Sequence, residues 1–165
     1  MSVMIRKVMQ GDEERLAHIQ TESWKAAFSD ILDEETLAKC ADIEKTTSMY
    51  KWLLDEHIAN GYILFVDDKP HCISYWDEAR DEEFKGKAEI VCIHSLPDNW
   101  HKGYGSKMMD EVLKDIKAAG YKEAYLWVFK DNARAKSFYE AKGFKLSNHE
   151  RPAFGAMEEM YIKKL

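Results

Sequence analysis

Two short runs carry the residue types that chemistry needs: HKGYGSKMM at 101–109 and DNARAKSFYEAKGF at 131–144. In the first, Gly103 and Gly105 bracket Tyr104 just ahead of a strongly helical stretch. Glycine lacks a Cβ, so main-chain N–H groups can close on an anion, and a helix starting there adds unpaired donors and its positive dipole end. A diphosphate suits such a loop. In the second run, Asn132, Ala135 and Tyr139 fall at i, i+3 and i+7 and share one helix face. Ala135 leaves room for a ligand to pass close to the helix, and Tyr139 offers an O–H at its far end. Two familiar phosphate loops do not fit: Ser106 and Lys107 stand in the wrong order for a P-loop, and Met108 stands where the dinucleotide fingerprint needs glycine.

The elements around these runs follow from pattern. An apolar strand over Ala88 to Ser95 feeds the first loop, and Met108, Met109, Val112, Leu113 and Ile116 form the inner stripe of the helix after it, stopped by Gly120. A second strand, Ala124 to Phe129, leads to Asp131 and Asn132 as cap residues and Gly143 as the stop. Upstream, Val3, Ile5 and Val8 suggest a strand, and Asp12 caps a helix with Leu16, Ile19, Ser23, Trp24, Ala27 and Phe28 near one face. Asp33 starts another helix, and Tyr50, Leu53, Leu54 and Ile58 line a later one ended by Asn60-Gly61. Tyr62 to Val66 and His71 to Trp76 flank a turn at Asp67 to Pro70 and read as a hairpin. Asp77 to Glu83 reads as a solvated acidic loop, and Asn148 to Gly155 as a turn-rich connection between closing strands at Lys145 to Ser147 and Met157 to Ile162.

The two runs resemble the GNAT superfamily of N-acetyltransferases. The family's loop Gln/Arg-x-x-Gly-x-Gly/Ala is matched in frame by Trp100 to Gly105, and its Asn-x-x-Ala-x-x-x-Tyr-x-x-x-Gly-Phe motif by Asn132, Ala135, Tyr139, Gly143 and Phe144. Trp100 departs from the family's Gln or Arg and removes a side-chain donor, a loss that Lys102 or Lys107 would make up. The resemblance implies a single α/β domain over residues 1–165, a mixed, mostly antiparallel twisted sheet of six or seven strands flanked by helices. It implies acetyl-CoA as co-substrate, held by Ile93, His94, Ser95, His101, Lys102, Gly103, Tyr104, Gly105, Ser106, Lys107, Asn132, Ala135 and Tyr139. It also makes the early helices one lip of an acceptor pocket, with Trp24, Phe28, Tyr50 and Trp52 as contacts, and gives the far lip to His149, Arg151, Phe154 and Glu158.

Alternation along the strand puts Glu89 on the side of Val91 and Ile93, where a carboxylate is costly unless it has a partner or work. An alkylammonium, with a pKa of about 10.4, must lose a proton before it can attack a thioester. Glu89 is the candidate base, ahead of His94 and His101, and Tyr139 is the acid for the departing thiolate, the position the resemblance gives it. Cys40, Cys72 and Cys92 have no base beside them in sequence, which favours direct attack over a covalent intermediate. Their spacing implies neither a disulfide framework nor a metal site.

A net charge of −6 argues against nonspecific nucleic-acid binding and suits a cationic acceptor, a polyamine or another small amine. The absence of a long apolar run or leader-like segment points to a cytoplasmic protein with no membrane partner. A homodimer is left open. Two further readings stand beside the favoured one: a CoA-binding sensor without turnover, and an acetyltransferase for protein N-termini or lysines.

Overall fold

Asp67 and Asp68 both take left-handed backbone angles, φ 48° and 67°, and close a tight hairpin between β2 (Asn60–Val66) and β3 (Lys69–Glu78). Short polar side chains tolerate that conformation, which matches the twist of the flanking strands. The computed structural model describes every residue except His101, and for Asn99 the backbone alone. The expected role of His101 at the donor loop therefore lies outside the described residues.

β1 (Val3–Lys7), β4 (Ala88–Ser95), β5 (Glu123–Phe129), β6 (Lys145–Ala153) and β7 (Ala156–Lys164) complete a seven-stranded sheet in the order β1-β2-β3-β4-β5-β7-β6. Each neighbouring pair is antiparallel except β4 and β5. The mixed, mostly antiparallel α/β sheet is the one expected. On one face the apolar stripe of α4 (Tyr104–Ala118), with Met108, Met109, Val112 and Ile116 fully buried, packs with Leu64, Ile90 and Leu126. α5 (Ala133–Ala141) adds Tyr139 to that core. On the other face, α1 (Glu13–Phe28) and α3 (Ile43–Asp55) bury Leu16, Ile19, Tyr50 and Leu54 against Ile63, Ile73 and Tyr75. A short α2 (Glu34–Cys40) sits between those helices in sequence, capped by Asp33 through the Thr36 amide.

Four local expectations are corrected. Asp12 precedes α1 but makes no cap hydrogen bond; its buried carboxylate is drawn to the Arg6 guanidinium (2.8 and 2.9 Å) and to Arg15 instead. α3 stops at Asp55, because His57 and Ala59 adopt φ of 53° and 64° and turn the chain, so Asn60 already belongs to β2. The supposed connection from Asn148 is strand: β6 runs to Ala153, and only Phe154 and Gly155 make the turn. β6 is an edge strand, where Pro152 costs no ladder bond on the open side. Lastly, the acidic segment is not wholly solvated. Asp81 accepts hydrogen bonds from Tyr125 Oη (2.7 Å) and Trp127 Nε1 (3.0 Å) and pairs with Arg151.

Candidate active site

β4 and β5 run side by side only at Ala88 with Ala124 and Glu89 with Tyr125. Beyond Glu89 they part, leaving the β5 side of β4 without a strand partner. The gap opens into a cleft of about 1650 Å³. α4 and α5 border one end, and α1, α3 and the β6–β7 turn border the other.

The register explains what faces this cleft. Tyr75 of β3 pairs with Cys92, but Trp76 pairs with Ile90, so Val91 is the extra residue of a bulge. A bulge resets alternation. Ile90 and Ile93 both turn toward α4, while Glu89 shares the opposite face with Cys92 and His94. The expected grouping of Glu89 with Val91 and Ile93 is thereby corrected, as is the expected placing of His94 opposite Glu89.

At the end bordered by α4 and α5, Gly103 has φ 82°, a left-handed residue that caps α4, and among the described residues beyond its chain neighbours no atom lies within 4 Å of where its Cβ would stand. The Lys107 amide already bonds to the Gly103 carbonyl (3.1 Å), so the first-turn donors left by helix geometry are those of Tyr104, Gly105 and Ser106. That narrows the expected clasp. Gly103, Tyr104, Gly105 and Ser106 line the cleft, while Lys102 and Lys107 do not. The Tyr104 ring turns into the core and stacks on His71, so this residue offers its backbone alone. Across the cleft, Asn132 caps α5 by accepting the Ala135 amide (3.2 Å) and lines the wall with Ala135 and Tyr139.

Tyr139 is 9% exposed, and burial pushes its phenol above the ordinary tyrosine value. It keeps its proton at neutral pH. Cys92 and Arg134 are its charged or ionisable neighbours. Burial pushes the Cys92 thiol up to about 12, which removes it as a thiolate nucleophile.

Glu89, at 1% exposure, is not a free carboxylate. Its Oε1 accepts from the Arg80 amide (3.1 Å) and Nε (3.0 Å), and its Oε2 from Nη2 (2.7 Å). Sequence gave no signal for that partner, because Arg80 lies in the acidic stretch read as solvated. His94 accepts a hydrogen bond from Trp24 Nε1 (3.3 Å), and burial lowers it to about 4. Its lone pair is engaged and its ring neutral, so it is a poor base.

That neutral imidazole has a consequence for stability. The folded-state pKa lies below the unfolded value of about 6.5, so the unfolded chain takes up the proton first. The contribution is fully present above about pH 6.5 and drains away as pH falls towards 4. The full linkage amounts to about 3 kcal/mol, reduced by the partial exposure of His94 to the cleft. Urea unfolding at pH 7 and pH 5 checks this: the wild-type chain loses stability over that interval, and His94→Gln loses clearly less. Equal losses would refute it.

The other end of the cleft is walled by rings. Trp24 meets Phe28 (4.9 Å between centroids) and Phe154 (5.5 Å), and Phe129 meets Phe28 (4.9 Å) and Phe154 (6.3 Å), all edge to face. Tyr50 is mostly core, its hydroxyl given to Gln20, though its edge reaches the cleft, and Trp52 lines the rim at 57% exposure. Arg151, Phe154 and Glu158 line the cleft. His149 does not; it packs on Phe84. Arg151 occupies Glu158 (2.9 Å), as Arg80 occupies Glu89, which leaves Asp77 as the lining carboxylate without an ion pair among the described residues. Phe129, Arg80 and Arg134 are site residues that the sequence reading missed. No group of three or more His, Cys, Asp or Glu among the described residues is placed to hold a metal ion.

The sheet thus parts beside a left-handed glycine, with a phenol lining the same gap. The model of the acetyltransferase (GNAT) family matches residues 14–144, and the chain belongs to that family. It is 30% identical over 169 residues to spermidine N(1)-acetyltransferase of Thermoplasma acidophilum, covering 98% of this chain and 99% of that protein. The paiA N-acetyltransferase of the same organism, solved in complex with coenzyme A, aligns over 100% of both chains with a TM-score of 0.81 and 25% identity. The fold also recurs in yncA of Salmonella typhimurium, solved with acetyl-CoA, at a TM-score of 0.75 and 14% identity over 99% of this chain and 94% of that one. The protein is an acetyl-CoA-dependent N-acetyltransferase, and the open Cβ position at Gly103, the first-turn amides of α4 and the small Ala135 fit the donor.

Proposed function

We propose that this enzyme moves the acetyl group of acetyl-CoA to the primary amine of a small molecule, the polyamines being the acceptor class, by direct attack with no acetyl-enzyme intermediate. The observation that carries this reading is that Tyr139, the loop Gly103–Ser106, the rings of Trp24, Phe28, Phe129 and Phe154, and Asp77, a carboxylate without an ion pair among the described residues, all line one cleft. Ring walls suit a methylene chain, and Asp77 suits an ammonium group at its distal end. The name of the Thermoplasma acidophilum relative supports the same class. Direct attack is supported by the raised Cys92 thiol, which is a poor nucleophile in this setting.

In this mechanism Gly103, Tyr104, Gly105 and Ser106 hold the donor's phosphates through their amides, and Asn132 and Ala135 line its pantetheine arm beside the open edge at Ile93, His94 and Ser95. Glu89 Oε2 accepts one hydrogen bond and keeps a further lone pair to receive the ammonium proton through solvent, with Arg80 fixing its orientation. Tyr139 gives its proton to the departing sulfur. Trp24, Phe28 and Tyr50 seat the acceptor.

Thiol release measured against a panel of spermidine, putrescine, butylamine and a peptide with a free N-terminus tests the reading. Spermidine should lead, and Asp77→Asn should raise its KM about tenfold with little change for butylamine, the effect of losing one charge-assisted contact. Preference for the peptide would replace the polyamine reading with a protein acceptor. Absence of thiol release with every amine tried would favour a CoA-binding sensor.

A further inference from the structure

Trp100 stands where the donor loop would ordinarily present a hydrogen-bonding side chain, yet its indole N–H is already given to the Ser95 carbonyl (3.1 Å). It cannot serve an anion. What the indole face does is carry a cation: the Arg134 guanidinium lies 3.7 Å from the ring centroid. We propose that Arg134, seated on Trp100, is the side chain that binds the donor's diphosphate in this chain, taking over from α5 a task the loop itself has lost.

Arg134 differs from every other arginine here. Arg6 and Arg15 pair with Asp12, Arg80 with Glu89, and Arg151 with Glu158 and Asp81. Arg134 has no carboxylate partner among the described residues. It lines the same cleft as Gly103, Gly105 and Ser106, whereas Lys102 and Lys107 do not. Its position is also electrostatically unfavourable in isolation. It lies in the first turn of α5, at that helix's positive end, and neither that turn nor the first turn of α4 across the cleft holds an acidic residue. Burial opposes its charge as well. A diphosphate answers all three conditions. The planar guanidinium fork grips phosphate oxygens in pairs, and the indole beneath it removes rotamer freedom before the ligand arrives.

Calorimetric titration with CoA, dephospho-CoA and pantetheine separates the parts of the donor. Arg134→Gln should weaken CoA and dephospho-CoA alike, by about tenfold or more, and flatten the salt dependence of both. Turnover of S-acetylpantetheine, which has no phosphate, should stay within about twofold of wild type. Arg134→Lys keeps charge without the fork and should fall between. Trp100→Gln in the Arg134→Gln background returns a donor to the loop and should recover part of the affinity. Unchanged CoA affinity in Arg134→Gln would overturn the proposal, and so would a loss confined to CoA, which would assign Arg134 to the 3′-phosphate. An equal loss with S-acetylpantetheine, accompanied by a lowered melting temperature, would reduce the Arg134–Trp100 pair to packing.

Discussion

Gly103→Val is expected to raise the Kd for acetyl-CoA by more than about a hundredfold while the chain still folds. The reason is local. Residue 103 has φ 82°, and a Cβ there meets no atom within 4 Å among the described residues beyond its chain neighbours, so an added side chain projects away from them beside the first-turn amides of α4. In the proposed mechanism that space is the anion's approach. Losing several charge-assisted backbone contacts together accounts for two or more decades of affinity. A β-branched residue in the left-handed region costs about 1–2 kcal/mol, which for a chain of this length lowers the melting temperature by roughly 2–8 °C. Gly105→Ala supplies the contrast: its Cβ would rest 3.6 Å from Phe138 Cζ, an ordinary contact, and its φ is not left-handed. Calorimetric titration and thermal melting of both variants check the expectation. A Gly103→Val protein that binds acetyl-CoA at wild-type strength would remove the clasp from the mechanism.

What sequence made legible in this fold is what depends on neighbours in the chain. Asn132 capping α5, Asp33 capping α2, the Asp67-Asp68 turn and the stripe from Met108 to Ile116 each rest on spacing within one element, and each is present. The features that escaped depend on a partner elsewhere. The bulge at Val91 exists only in relation to β3, and nothing in the run from Ala88 to Ser95 marks where two residues will oppose one. Its effect reaches chemistry, since it moves Glu89 onto the face of His94 and Cys92. Arg80 and Arg134 were invisible for the same reason: one reads as part of an acidic loop and the other as a surface position between motif residues. Only the folded chain brings them to Glu89 and Trp100. The polar stretch of β6 was misread because an edge strand tolerates proline and charge that would break an inner one.

Tyr139→Phe is expected to lower kcat by about a hundredfold or more, with the Kd for CoA within about twofold of wild type. The ring, not the hydroxyl, does the packing: it lies edge to face with Phe138 at 5.5 Å and Phe144 at 6.0 Å in a buried setting, so phenylalanine preserves the wall of the cleft and the fold. What disappears is a proton. A simple thiol titrates at about 8.5, so expelling it as an unassisted thiolate near neutral pH is uphill relative to handing it a proton in transit. Burial raises the Tyr139 phenol, which therefore remains the acid form past the ordinary tyrosine value of about 10. The sign follows directly: in wild type this group should cause no alkaline fall in kcat below about pH 10, and in Tyr139→Phe the rate should be low across the whole range rather than shifted. Steady-state rates from pH 6 to 9.5, paired with CoA titrations, make the measurement. Equal rates in the two proteins would mean that the sulfur leaves without help from this phenol, and the residue would then belong to the cleft's wall alone.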